Sequence, residues 1–381
     1  MNSKNINLKL SIGVQNKKAK LVLENGEVIF GRSFGAEISS PGEVVFATGM
    51  VGYPEALTDP SFRGQILVLT SPMIGNYGVP SIKHWESDKI QIAGLVVCNY
   101  IDTPSHHASR ETLALWLKRF NIPAIEIKGT RDLTQKLRTH GVILGKIICG
   151  KNKINFEDPN KRNLVAEVST KVIYKKGTGK KTIVLIDCGV KLNIIRQLVK
   201  RNLEVIVVPW NTDVTKLSFP FRAVVISNGP GDPTKVVETI ENIKKVLAKK
   251  IPTFGICLGN QILAIAMGGS TYKLPFGHRS QNQPCVLNGT NKCYLTTQNH
   301  GFAVKKIPEN FNEWFYNAND RTNEGIIHKT LPFMSVQFHP ESSPGPLDTD
   351  WVFDYFLKKA RIHLSPTPLL KKERGEGVRL N

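Results

Sequence analysis

Gly255-Ile256-Cys257-Leu258-Gly259-Asn260-Gln261 sets a cysteine between a short apolar run, Ile251-Pro252-Thr253-Phe254, and a helix-forming run, Gln261-Ile262-Leu263-Ala264-Ile265-Ala266-Met267, closed by Gly268-Gly269. The pattern predicts a buried strand that turns through Cys257 into a helix. Gly255 and Gly259, two residues before and after the thiol, repeat the small-residue spacing of a G-x-S-x-G nucleophile elbow, where bulky neighbours would block a tight turn. At a helix N-terminus the thiolate gains from the macrodipole and from free backbone N–H groups, which can also hold an oxyanion. The default role of a free cysteine is that of a small buried hydrophobe. Against it stands Phe333-Met334-Ser335-Val336-Gln337-Phe338, which reads as a buried strand and ends in His339-Pro340-Glu341. A histidine just past a strand end can reach across the sheet edge. Glu341 is placed to accept a hydrogen bond from its imidazole, fixing tautomer and basicity.

The elements that must bring these groups together follow from hydrophobic patterning. From residue 182 the chain repeats strand then helix. Thr182-Ile183-Val184-Leu185-Ile186 is a continuous apolar strand, followed by a helix over 192–200, strands over 203–208 and 223–226, and a long amphipathic helix over 235–250. Near-continuous apolar strands alternating with helices predict an α/β fold, a doubly wound, mostly parallel sheet covered on both faces. In such sheets the chemistry lies at the carboxyl ends of the strands. The elbow, His339 and the loop Ser227-Asn228-Gly229-Pro230-Gly231-Asp232-Pro233 all fall at such ends. That loop is first of all a rigid turn, but beside the elbow its Gly229 and Gly231 N–H groups can bind substrate or an oxyanion.

The first 150 residues differ in texture. A hairpin is expected over 21–30 around Glu24-Asn25-Gly26, strands over 43–47, 92–98 and 142–148, and helices over 111–120 and 133–140. This is a smaller mixed α+β domain with no catalytic constellation of its own. His106-His107 is no metal pair, because adjacent side chains diverge and no third ligand is evident, and no metal site is expected elsewhere. The organisation expected is a basic leader over 1–19, an N-terminal domain over 20–150 that contacts a partner, a charged boundary region over 151–181, the α/β domain over 182–362, and a disordered basic tail over 363–381.

Composition bounds the function. The chain has 381 residues, 41% of them apolar and 22% charged, ordinary values for globular protein. No stretch approaches eighteen consecutive apolar residues, so no membrane association is expected. The formal charge of +20 is uneven: five lysines and no acid over 1–20, nine basic against three acidic residues over 151–181, and seven against two over 358–381 account for +16 of it. An excess confined to termini and a boundary segment reads as solvated chain, and no aromatic-interleaved basic strand accompanies it, so no nucleic-acid partner is expected. The six cysteines form no C-x-x-C pair and fit a reducing setting. The leader carries no arginine, so a cytoplasmic location is expected, with organellar import left open.

Taken together, the Cys257 and His339 motifs resemble those of the class I, triad-type glutamine amidotransferases. Four further segments narrow the resemblance to the small subunits of carbamoyl-phosphate synthase. They are Asp187-Cys188-Gly189-Val190-Lys191, the 227–233 loop, Gln298-Asn299-His300-Gly301-Phe302, and Thr48-Gly49-Met50-Val51-Gly52-Tyr53-Pro54-Glu55-Ala56-Leu57-Thr58-Asp59-Pro60-Ser61. The resemblance covers roughly residues 20–362; the leader and tail have no recognised counterpart. It implies a glutamine-hydrolysing ligase subunit with Cys257 as nucleophile, His339 as base and then acid, and Glu341 as orienter. L-glutamine would be bound by Ser61, Gly229, Gly231, Leu258, Gln261, Asn299, Gly301 and Phe302. The chain itself would hold no cofactor. It lacks a G-x-x-x-x-G-K-[ST] loop, so ATP and Mg are expected on a large synthetase subunit, with which this chain forms a heterodimer able to assemble further. That partner would turn ammonia and bicarbonate into carbamoyl phosphate for arginine or pyrimidine synthesis, fed through a buried tunnel. The alternatives are the amidotransferase subunit of another synthetase and a non-catalytic scaffold of the same fold; the N-terminal segment argues against the first and the intact Cys257, His339 and Glu341 against the second.

Overall fold

The computed structural model describes residues 17–151 and 153–362. Seven strands of the N-terminal domain close on themselves: β1 (Lys17–Leu23), β2 (Val28–Ser33), β3 (Ser40–Ala47), β4 (Gln65–Leu69), β5 (Gly94–Val97), β6 (Ala124–Ile127) and β7 (Ile143–Cys149), in the order β1-β2-β6-β5-β4-β3-β7. The hairpin at Asn25-Gly26 pairs β1 with β2, while β3, β4, β5 and β6 run parallel in succession. Side chains alternate across this sheet. Ile66 and Val68 join Val44, Val96 and Ile125 under the helix Thr130–His140, whereas Leu67 and Leu69 join Leu95 and Val97 beneath Trp116 of the helix Leu113–Arg119. β4 and β6 stand where the sequence predicted no strand. Their apolar runs are too short for periodicity to separate strand from buried helix, and only barrel closure reveals them.

The C-terminal domain is one ten-stranded sheet. Its strands are β8 (Tyr174–Lys176), β9 (Lys181–Asp187), β10 (Leu203–Pro209), β11 (Ala223–Ile226), β12 (Thr253–Ile256), β13 (Ser270–Leu287), β14 (Cys293–Lys306), β15 (Phe311–Asn317), β16 (Asn323–His328) and β17 (Phe333–Val336). They are ordered β14-β13-β15-β16-β17-β12-β11-β9-β10-β8. The run from β17 to β10 is parallel, and antiparallel strands extend it at both edges. Ile183 and Leu185 pack one face against the helices Leu192–Lys200 and Trp351–Lys359; Val184 and Ile186 pack the other against Val237–Ala248 and Leu258–Ala266. Burial on both faces explains why these strands carry no alternation.

The segment 151–181 is more than a connector. β8 pairs antiparallel with β10, and Val165 of the helix Leu164–Val168 packs into the core on one sheet face. Residues 17–19 of the leader belong to β1, and the rest of the leader and the tail 363–381 lie outside the described residues. No described helix is long and apolar enough to cross a membrane.

β12 is anchored by Phe254, which is fully buried, stacked 5.1 Å from Phe356 and edge-on 5.9 Å from Phe353. Phe254→Ala is expected to cost about 3–5 kcal/mol in urea unfolding of the C-terminal domain. A loss below about 1 kcal/mol would contradict this packing.

Candidate active site

Between the end of β12 at Ile256 and the helix starting at Leu258, a single residue makes the turn. Cys257 adopts φ 55° and ψ −101°, a conformation that costs a non-glycine residue about 1–3 kcal/mol and persists only when its surroundings impose it. Two things impose it here. The Cys257 N–H donates to the carbonyl of Val336 at 2.8 Å, continuing the parallel pairing of β12 with β17. The flanking glycines admit no substitute: a Cβ on Gly255 would lie 2.3 Å from the Gly259 carbonyl oxygen, and one on Gly259 2.3 Å from that of Ile226. The Leu258 and Gly259 amides open the helix and so have no carbonyl behind them within it.

The same pairing delivers the histidine. Two residues separate His339 from the last described strand position of β17, and its N–H donates to the Thr297 carbonyl at 2.9 Å. Nδ1 meets Glu341 Oε1 at 2.6 Å, so the ring presents Nε2, buried and without a hydrogen-bond partner, within electrostatic reach of Cys257. The Cys257 sulfur also lies 3.6 Å from the Asn299 carbonyl oxygen. Behind Glu341 stands a buried cation: Lys191 Nζ is 3.0 Å from Glu341 Oε1 and donates to the Ser342 carbonyl at 2.6 Å. Burial alone would push the imidazole down. The Glu341 carboxylate and the Cys257 sulfur beside it outweigh that and lift it to about 10. Burial acts in the opposite sense on Glu341, but Lys191 and His339 hold its carboxyl down to about 2.

Cys257 opens into a cavity of about 470 Å³, and Ser61, Gly229, Gly231, Leu258, Gln261, Asn299, Gly301 and Phe302 all line it. The N-terminal domain supplies one wall. Asp59 caps the turn Pro60–Phe62 by accepting from the Ser61 N–H, and its other oxygen accepts from Asn299 Nδ2 at 2.8 Å; Ser61 Oγ accepts from Asn228 Nδ2 at 2.9 Å. Gln261 spends its amide nitrogen on the Phe302 carbonyl at 2.8 Å and on Gln337, so it presents its carbonyl oxygen to a ligand. Sequence reasoning gave no role to Asp59 or Asn228, although both lie in segments it singled out, and missed Arg279 and the Glu43–Lys273 pair that lines the pocket at 2.6 Å. The partners of each exist only in the folded chain.

A second cavity, of about 620 Å³, begins at His339, Lys191 and Asn299 and is walled by Ala47, Tyr53, Phe62, Leu69 and Ile74. It reaches Met50 and Val51, both exposed. Among the described residues one group could ligate a metal, His278, His300 and Glu324. Both rings are already engaged: His278 with Gln298 and Asp320, His300 with Phe302 and Gln298. Burial would depress His278, yet hydrogen bonding to Asp320 and Glu324 raises it to about 9.

A model for the carbamoyl-phosphate synthase small chain, CPSase domain, matches residues 21–147, and one for class-I glutamine amidotransferase matches residues 184–359. The chain is 43% identical over 366 residues to the carbamoyl phosphate synthase small chain of Pyrococcus furiosus, covering 90% of this chain and 98% of that one. It is 50% identical over 361 residues to multifunctional protein CAD of Squalus acanthias, covering 90% of this chain and 16% of the relative. It is 45% identical over 386 residues to the mitochondrial carbamoyl-phosphate synthase [ammonia] of Mus musculus, covering 96% and 26%. The chain thus spans only a fraction of the length of these last two relatives. It belongs to the carbamoyl-phosphate synthase small-chain family, and its C-terminal domain is a class-I glutamine amidotransferase domain.

Proposed function

We propose that this chain hydrolyses L-glutamine and delivers the ammonia to an ATP-dependent synthetase that makes carbamoyl phosphate. The observation that carries the reading is the placement of Cys257, strained at the head of a helix and opening on a polar pocket, beside a histidine held by a carboxylate. The Cys257 sulfur attacks the carboxamide carbon, and the Leu258 N–H receives the charge that develops on oxygen. His339, charged at neutral pH, gives its proton to the departing ammonia. It then takes a proton from the water that attacks the thioester, and glutamate leaves with the sulfur restored. Ser61, Gly229, Gly231, Gln261, Asn299, Gly301 and Phe302 bind the amino acid. Glu341 keeps the ring oriented throughout.

Ammonia released into water at neutral pH is mostly protonated and unreactive. The apolar-walled cavity that leaves His339 toward the exposed Met50 and Val51 supports delivery through the N-terminal domain to a synthetase partner, which would hold ATP and Mg. Relatives named for ammonia suggest a second reading, a chain serving a synthetase that takes free ammonia. Cys257 with its intact His339 and Glu341 favours glutamine. All six cysteines are unpaired, which supports a reducing cytoplasmic setting, while mitochondrial relatives leave an organelle as the other.

Cys257→Ser is expected to abolish glutamine-dependent carbamoyl phosphate formation by the assembled enzyme, at least about 100-fold, and to leave ammonia-dependent formation intact. Loss of both would point to a structural role. The pH profile gives a second test. Because Glu341 holds His339 up, the ring keeps its proton below about 10 and loses it above, so glutamate release should fall as pH rises toward that value. In Glu341→Gln burial dominates, and this alkaline limb should move down by about two units or more. An unmoved limb would show that Glu341 does not govern the ring.

A further inference from the structure

Among the described residues three charged side chains line the cavity that opens at Cys257, and two of them satisfy each other. Glu43 accepts from Lys273 Nζ at 2.6 Å, and also from Gln65 Nε2 at 3.0 Å and Asn160 Nδ2 at 3.1 Å. The third, Arg279, has no such partner. It is 5% exposed, yet among the described residues its guanidinium donates only to the Phe276 carbonyl, at 2.6 Å, and its Nε is buried with no hydrogen-bond partner. Burial pushes the group down, and Glu43 and Cys257, acting through space, oppose it without reaching ion-pair distance.

The fold holds this guanidinium in place. Arg279 stands opposite Asn299 in the pairing of β13 with β14, so the two side chains share one face of the sheet. Its own carbonyl accepts from the Thr48 N–H of the N-terminal domain at 3.2 Å. Two glycines leave it room: a Cβ on Gly277 would sit 2.5 Å from Nη1, and one on Gly301 3.2 Å from Nη2. A buried cation with no counter-charge is strongly unfavourable, and a ligand that brings the counter-charge relieves that cost. A guanidinium is planar and presents paired N–H groups, the shape that meets a carboxylate through two parallel bonds. L-Glutamine carries one carboxylate, at the end of the molecule that does not react.

We propose that Arg279 takes the α-carboxylate of L-glutamine and so makes the site specific for a free α-amino acid rather than for primary amides at large. The proposal rests on the glutamine-hydrolysis reading and deepens it, since it names the side chain that reads the far end of the same substrate. Binding energy drawn from that end places the carboxamide carbon against the Cys257 sulfur.

The full chain and its Arg279→Met and Arg279→Lys variants are assayed with L-glutamine and with L-glutamine α-amide, which keeps the γ-carboxamide and the α-ammonium but carries a neutral amide in place of the α-carboxylate. Chromatography reads glutamate from the first and isoglutamine from the second. Wild-type chain is expected to prefer L-glutamine by at least about 100-fold in kcat/KM, mostly through KM, because the α-amide leaves a buried charge unpaired. In R279M the preference is expected to fall to within about 3-fold. R279K keeps the charge without the fork and should retain a preference of about 10-fold, so it carries the test should R279M not fold. A preference that stays at the wild-type value in the folded variants would overturn the proposal, because a role in packing alone, or toward the Cys257 sulfur, lowers both activities together. Wild-type chain that turns over both amides alike would overturn it as well. Wild-type chain that hydrolyses neither would instead defeat the glutamine reading, and the proposal with it.

Discussion

The site depends on the parallel pairing of two short strands more than seventy residues apart in the chain. Gly255 stands opposite Ser335 and Ile256 opposite Val336, and the Cys257 N–H caps the pairing on the Val336 carbonyl. This register sets the thiol and the imidazole at the same end of the sheet, where neighbouring strands both finish. A slip of one residue would turn every side chain of one strand to the other face and carry His339 away from the elbow. The register is fixed from both sides of the sheet, by Phe254, Ile256, Met334 and Val336 in one core and Phe333 in the other. Hydrophobic packing thus determines how the thiol and the imidazole are placed.

Electrostatics then set what those atoms can do. Three charged or chargeable groups, Lys191, Glu341 and His339, are nearly excluded from solvent. Isolated, each would lose its charge to desolvation. Arranged as alternating signs they keep it, with Glu341 driven down and His339 driven up by each other. The N-terminal barrel takes part in this arrangement. Asp59 holds Asn299, Ser61 receives Asn228, and Glu86 meets Arg196 and Ser343 across the domain boundary. The pocket is therefore a property of both domains.

The turn through Cys257 and the pairing of His339 with Glu341 were legible in the sequence because their requirements are local. A tight turn through a cysteine needs glycine on either side, and a histidine with a nearby carboxylate shows its pairing within three residues. The β-then-α texture after residue 182 was legible for a similar reason, since strands buried on both faces read as unbroken apolar runs. The barrel was not. β4 and β6 are short apolar segments whose strand character comes from neighbours distant in sequence. The hairpin of β13 and β14 was equally hidden, because its polar interior, Gln298, His300 and His278, looks like loop until the side chains are seen to bond one another. Glu86 shares that invisibility, and Lys191, Asp59 and Asn228, although they lie in segments the sequence singles out, do not show there which partners they meet.

The central claim is that the sulfur at position 257 forms a bond with the substrate carbon. Acid quenching of the full chain during turnover with isotopically labelled glutamine, followed by peptide mass spectrometry, tests it directly. A γ-glutamyl adduct confined to the peptide bearing Cys257 is the expected result. Glutamine consumption with no such adduct, or label on the exposed Cys98 or Cys293 instead, would contradict it.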